Sequence, residues 1–271
     1  MSLEWWLVAE LLVLGAATGF LAGLLGIGGG MLLVPFMTLI VSARGVDTAV
    51  AVKIAIATSM ATILFTSLSS VRAHHARGAV RWDLVRTIAP GLVIGGLLAG
   101  AGVFALVSGR WLALVFGLFV ALTATQMLFA RTPRPSRTLP GPAGRTAVGG
   151  FIGFISGLVG AGGAFLSVPW MTRCNVPMHH AVGTAAALGF PIAAANTLGY
   201  VVAGWSLPAT LPGLVGYLFV PALLIVALAS VTTAPLGARV AHALDVRQLR
   251  RVFALLLYAL AAYMLLQAWR G

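Results

Sequence analysis

Two glycine runs are the densest chemical signal in the chain. The first is Gly23, Gly26, Gly28, Gly29 and Gly30, followed by Pro35; the second is Gly157, Gly160, Gly162 and Gly163, followed by Pro169. Glycine costs a helix about 1 kcal/mol per residue relative to alanine, so consecutive glycines open one. The half-helix that restarts beyond such a break presents unbonded N–H groups and the positive end of its dipole, which favour an anion. Side-chain donors stand on the apolar segment after each run: Thr58 and Ser59 after the first, Thr184 and Asn196 after the second. Each oxygen of an oxyanion accepts several hydrogen bonds, so such a set suits it. The candidate substrate-binding residues are therefore Gly26, Gly28, Gly29, Gly30, Thr58, Ser59, Gly160, Gly162, Gly163, Thr184 and Asn196. Pro35, Pro169, Lys53 and His75 are candidates for the helix breaks and for gating.

Each of these residues also has a plainer reading. Gly19, Gly23 and Gly26 recur at the spacing of close helix packing, whereas Gly28–Gly30 exceed what one packing face needs. A hydroxyl in an apolar helix commonly bonds its own i−4 carbonyl, and Asn196 could equally join two helices. Lys53 either snorkels to the surface or attracts an anion at the mouth. His74, His75, His179 and His180 read as loop histidines that could gate or shuttle protons. Tyr200 reads as an interface aromatic. Cys174 reads as a small apolar core residue.

The elements that position these residues follow from composition. Hydrophobic residues make up 60% of the 271 positions and charged residues only 8%, against roughly 25% charged in soluble domains. A water-facing surface cannot be covered on that allowance, which excludes a soluble enzyme, a disulfide scaffold and a disordered chain. Uncharged stretches at 11–43, 54–71, 87–109, 111–130, 146–172, 174–238 and 252–269 match helices of about 20 residues that cross a bilayer. The net charge of +12 sits in short loops without interleaved aromatics. It reads as the positive-inside bias of a membrane protein and not as a nucleic-acid surface. No Cys/His cluster has zinc spacing, and GIGGGML lacks the Lys-Ser/Thr of a P-loop, so no metal or cofactor is expected. No basic residue precedes the first apolar run, unlike a signal peptide; residues 5–25 read as a retained helix.

The chain repeats itself. Residues 19–35 (GFLAGLLGIGGGMLLVP) and 153–169 (GFISGLVGAGGAFLSVP) share 10 of 17 positions at an offset of 134. Two membrane units, 1–130 and 146–271, are joined by an Arg/Pro linker at 131–145. Equivalent loops exchange their basic residues between the copies. If both copies ran the same way, Lys and Arg would divide nine against eight; inversion of the second gives 13 against four, as the positive-inside rule favours. Each unit then needs an odd number of crossings, here five: segments 5–25, 31–41, 49–70, 87–106 and 111–130, then 146–160, 164–173, 178–203, 211–238 and 252–269. The expected fold is an all-α polytopic membrane protein of two inverted repeats with Gly-broken helices. The N-terminus is expected outside the cell and the linker in the cytoplasm.

The paired glycine motifs, with ATSMATILFTSLSSVRAHHARGAVRWDL at 57–84 and AVGTAAALGFPIAAANTLGYVVAG at 181–204, resemble the sulfite exporter TauE/SafE family of membrane permeases along nearly the whole chain. The resemblance implies movement of sulfite, an organosulfonate or a related small anion across the bacterial inner membrane. Ala164, where that motif often has glycine, sets the second break apart from the first. The residues themselves leave a passive anion channel or a small-carboxylate permease as alternatives. They favour an anion because Glu4, Glu10, Asp47, Asp83 and Asp245 all fall near ends or loops, whereas a cation pathway places acids inside. Without an ATP-hydrolysing motif, the driving force is a gradient, a coupled ion or the membrane potential. The expected partners are a small anion, the lipid bilayer and, an open point, a second copy of the chain.

Overall fold

The computed structural model describes residues 5–25, 30–129, 137–207, 211–241 and 246–270. These are helices with one two-residue hairpin. In order they are α1 (Trp5–Leu25), α2 (Gly30–Ser42), α3 (Thr48–Ala76), α4 (Trp82–Leu97), a π-helical turn (Leu98–Val103), α5 (Phe104–Leu106), α6 (Gly109–Phe129), α7 (Pro142–Val159), α8 (Ala164–Arg173), α9 (Met178–Ala203), β1 (Leu214–Val215), β2 (Leu218–Phe219), α10 (Val220–Ala241) and α11 (Val246–Arg270). Seven helices among the described residues are long and apolar enough to cross a membrane: α1, α3, the α4–α5 run, α6, α9, α10 and α11. The chain is a multi-pass membrane protein. At 1.5 Å per residue, α2 (13 residues) reaches about 20 Å and α8 (10 residues) about 15 Å, short of the roughly 30 Å hydrocarbon core.

Helices α3 and α9 form the middle of the molecule. Residues 51–62 of α3 are buried on every face, as befits a helix apolar all round. Asp47 starts α3 by accepting from Ala49 N (2.9 Å) and Val50 N (3.3 Å), satisfying amides the helix leaves free. The helix runs past the expected end at 70 and stops only before Gly78, whose φ is +65°. His74 and His75 therefore ride its last turn and are not loop residues.

The short helices fold back as hairpins. Arg44, on the turn after α2, pairs with Glu10 of α1 at 2.6 Å, and Arg137, ahead of α7, donates its N–H to Arg173 O at the end of α8 (3.1 Å). The widest helix interfaces are α1 with α10 and α4 with α7. Gly15 packs on Val226 and Ala229, and Gly19 on Ser230 and Thr233, so α1 and α10 run parallel. Gly91 packs on Thr146 and Gly95 on Gly150, so α4 and α7 run parallel too. In contrast α3 and α9 run antiparallel, with Gly183 against Ala79, just past the end of α3, and Gly189 against Ser67. So do α6 and α11, where Gly117 meets Leu265 and Thr125 Oγ1 lies 2.7 Å from Tyr258 Oη.

Two stretches depart from the expected helices. The segment read as 211–238 begins as the β1–β2 hairpin, and its helix starts at Val220. Gly213 (φ +83°) and Gly216 (φ +59°) set that turn, and Gly216 presses on the backbone of Tyr200 and Val201, where a side chain would not fit. The 87–106 segment is interrupted by the π-helical turn, where Gly100 lies against Asn196 O and Gly199. Such turns insert one residue into a helix and often mark functional positions.

Candidate functional site

The second glycine break ends α7 at Gly160, which adopts the left-handed conformation (φ +70°, ψ +17°) and donates its N–H to Ser156 O at 2.8 Å. A Cβ is costly in that conformation, and here it would also strike Ile56. The chain restarts as α8 at Ala164. In the first half α2 restarts at Gly30. The start of α2 meets the second break, since a methyl group on Gly30 would lie 3.1 Å from Gly160 O and 3.3 Å from Ser59 Oγ. Ser59, fully buried, joins them: its hydroxyl is 3.3 Å from Gly30 O and 3.3 Å from Gly160 O. One side chain of α3 thus bridges backbone from both copies of the repeat. The first N–H groups of α8 lack α-helical partners by construction.

Asn196, also fully buried, stands on α9 beside this junction. Its Nδ2 donates to Ile192 O (2.9 Å), while Oδ1 has no partner and lies against Gly157 of α7. Gly96 of α4 faces its amide from the other side. One turn on, Tyr200 donates from its hydroxyl to Gly157 O at 2.5 Å. It is fully buried, which corrects the expectation of an interface aromatic. Its ring packs on Phe104 (centroids 4.4 Å apart), which in turn meets Tyr217 edge-on at 5.4 Å.

Lys53 closes this aromatic stack. It is only 8% exposed, donates to Ala105 O (3.0 Å) and to Tyr217 Oη (3.5 Å), and sits 5.9 Å from the Phe104 ring centre and 5.3 Å from that of Tyr217. The described carboxylates lie elsewhere: Glu10 pairs with Arg44, Asp83 with Arg81 (2.6 Å), and Asp47 caps α3. Lys53 is thus a cation held by a helix-end carbonyl and aromatic faces. It does not snorkel to open solvent.

The remaining candidates are placed as follows. Gly162 lies against Ile63, and Gly163 against Ile152 and Ile192. Pro35 and Pro169 lie inside α2 and α8; lacking an N–H, they leave Met31 O and Phe165 O without the usual helical donor. Thr58 and Thr184 are fully buried but do not face the junction. Thr58 Oγ1 accepts from Phe219 N (3.1 Å), and Thr184 Oγ1 accepts from Arg81 N (3.0 Å). Each anchors the backbone just ahead of a helix, α10 or α4. His75 is exposed, and its Nδ1 accepts from Trp82 Nε1 (3.2 Å); 16 residues along α3 put it about 24 Å from Ser59. Gly26, Gly28 and Gly29 lie outside the described residues. Reading the sequence missed Phe104, Tyr217 and the π-helical turn. The turn had a signal in Gly96, Gly100 and Gly102; the two aromatics had none.

Comparison with known proteins places this arrangement. The family model "Sulfite exporter TauE/SafE" matches residues 11–264. A "Probable membrane transporter protein" of Haemophilus influenzae is 32% identical over 94% of this chain and 97% of its own length. A relative with the same description from Methanocaldococcus jannaschii is 26% identical over 96% of each chain, and one from Bacillus subtilis is 28% identical over 72% of this chain and 78% of its own. No solved structure matches the chain. The chain belongs to the TauE/SafE family. It is a membrane transporter and not an enzyme.

Proposed function

We propose that this member of the family carries a small sulfur-containing anion, sulfite or an organosulfonate, across the bacterial inner membrane. The observation that carries the reading is the meeting of the Gly30 and Gly160 breaks on Ser59. Two half-helices restart there, at Gly30 and Ala164. Their free amides and dipole ends suit an oxyanion, with Ser59 and Asn196 adjoining. Lys53, buried about 9 Å along α3 from Ser59, supplies positive charge on the way in and gates that end through Tyr217.

The halves 1–130 and 146–271 act as inverted repeats around this junction. The helix directions support it: α1 runs with α10 and α4 with α7, while the equivalent pairs α3/α9 and α6/α11 oppose one another. The short α1–α2 and α7–α8 hairpins return to the side they started from. Each half then still makes an odd number of crossings, through α3, α4–α5 and α6 or through α9, α10 and α11. With the 131–145 linker in the cytoplasm and the N-terminus outside, rocking of one half against the other exposes the junction alternately.

The test is uptake into proteoliposomes with a panel of sulfite, sulfate, sulfonates and small carboxylates. Saturable, counterflow-competent flux of a sulfur oxyanion is expected, with Ser59→Ala and Asn196→Leu lowering it at constant protein yield. A protein that moves only carboxylates, or conducts without saturation, would overturn the reading.

A further inference from the structure

We infer that the junction of the two breaks is also a binding site for a monovalent cation of sodium size, with Ser59 Oγ and the carbonyl oxygens of Gly30 and Gly160 as ligands. This goes beyond the anion reading and does not depend on which anion is carried. The two Ser59 contacts measure 3.3 Å each. That is long for O–H···O, which centres near about 2.7–2.8 Å, and the hydroxyl has one hydrogen for two acceptors. It is, however, the spacing of oxygens that share an ion. Neighbouring ligands of an octahedron stand √2 times the metal–oxygen distance apart. For calcium, whose radius sodium nearly equals, the 2.3–2.6 Å bond gives about 3.3–3.7 Å, whereas magnesium gives only about 2.8–3.0 Å.

The donor set fixes the charge class. All three ligands are neutral oxygens, and among the described residues no group of three His, Cys, Asp or Glu could hold a metal. Nothing there offsets the desolvation of a divalent ion, so a monovalent one fits. Gly160 lies just past α7, the negative end of that helix's dipole. A separate observation points the same way: Asn196 Oδ1 is fully buried, unpartnered and set against Gly157, one turn earlier on α7. That lone pair adds negative potential to the same wall. A carbonyl just past a helix end, as Gly160 O is here, can hold a sodium ion beside an anion at a half-helix N-terminus, one way broken helices serve transport. A cation at this point would tie α2, α3 and α7 together and favour the anion next to it; linkage makes the effect mutual.

The experiment measures the melting temperature of the purified full chain in detergent, with NaCl replaced by choline chloride at constant chloride. Sodium is expected to raise it by about 3–5 °C per tenfold concentration once above its Kd, with potassium and lithium weaker. Ser59→Ala should melt as the wild type does in choline chloride and lose the sodium response. Should that variant fold poorly, Gly30→Ala crowds Gly160 O and should weaken the response with Ser59 still present. Equal melting of the wild type in sodium and choline would overturn the inference, as would a full sodium response in Ser59→Ala. Anion flux in proteoliposomes indifferent to sodium would sink the cation site and leave the anion reading standing.

Discussion

Thr58 and Thr184 hold matching places in the two halves and make the same bond, yet the regions they anchor are unlike. Thr58 receives the N–H of Phe219 beneath a hairpin whose Tyr217, with Phe104, covers Lys53. Thr184 receives the N–H of Arg81 under a loop that carries Arg77 and Arg81; nearby, His179 and His180, expected in a loop, stand in the first turn of α9 with their rings 4.1 Å apart and tilted. On the reading proposed above, one end is a sealed aromatic lid over the buried Lys53 and the other an open basic mouth. The backbone framework is shared between the halves while the chemistry of the mouths has diverged. A buried charge acts at short range and low dielectric, so it can select. Exposed arginines act through a field that salt screens, so they can only gather anions.

The largest effect tests the shared framework. Gly19→Leu on α1 and Gly153→Leu on α7 would each drive a side chain into partner backbone, at Ser230 or at Leu92. Overpacking costs about 1–3 kcal/mol or more when backbone must move, so neither should yield monodisperse protein on gel filtration. If one variant folded normally, the two interfaces would not be equivalent. Next comes the flux ratio between the ends. Lys53→Met should cut uptake at limiting anion about tenfold or more, because an unscreened charge is lost, while Arg77→Gln should cost about twofold and lose its effect in high salt. Equal losses would erase the distinction between lid and mouth.

A smaller difference tests the anchors themselves. Thr58→Val strips the acceptor from a buried N–H and should destabilise by about 2 kcal/mol; Thr184→Val leaves a part-buried N–H that water can reach and should cost about 1 kcal/mol. Thermal melts of both variants in one detergent decide it. A larger loss for Thr184→Val would reverse the assignment of sealed and open ends.

How much of this was legible beforehand follows from the range of each signal. The glycine runs and the basic loops are local patterns, and α8 falls on the 164–173 read from sequence, whereas α7 begins at Pro142, inside the 131–145 read as a linker. The junction is a different matter. Ser59 meets Gly160, 101 residues away, and Thr58 meets Phe219, 161 residues away; no spacing rule reaches so far. The β1–β2 hairpin was hidden because LPGLVGYLFV is as apolar as a spanning helix, so hydropathy carried no interruption. Only Gly213 and Gly216 betrayed it. Tyr200 was misplaced for a related reason: an aromatic at a bilayer interface and one buried against a glycine carbonyl look alike until the glycine's partner is known.

The smallest effect contrasts the turns that close the two hairpins. The turn after α2 carries Arg44, ion-paired with Glu10. The turn after α8 carries Cys174, buried at 5% exposure. Burial pushes its thiol up from the ordinary value, with Arg137 pulling weakly the other way. A raised value means less thiolate at neutral pH, and the thiolate is the reactive form. Cys174 should therefore label with a maleimide about tenfold or more slowly than a free thiol at pH 7, speeding up as pH climbs through the raised value. Labelling rate against pH measures it. Fast labelling at pH 7 would mean this turn opens to water as the arginine turn does, and the sealed packing under α8 would have to be abandoned.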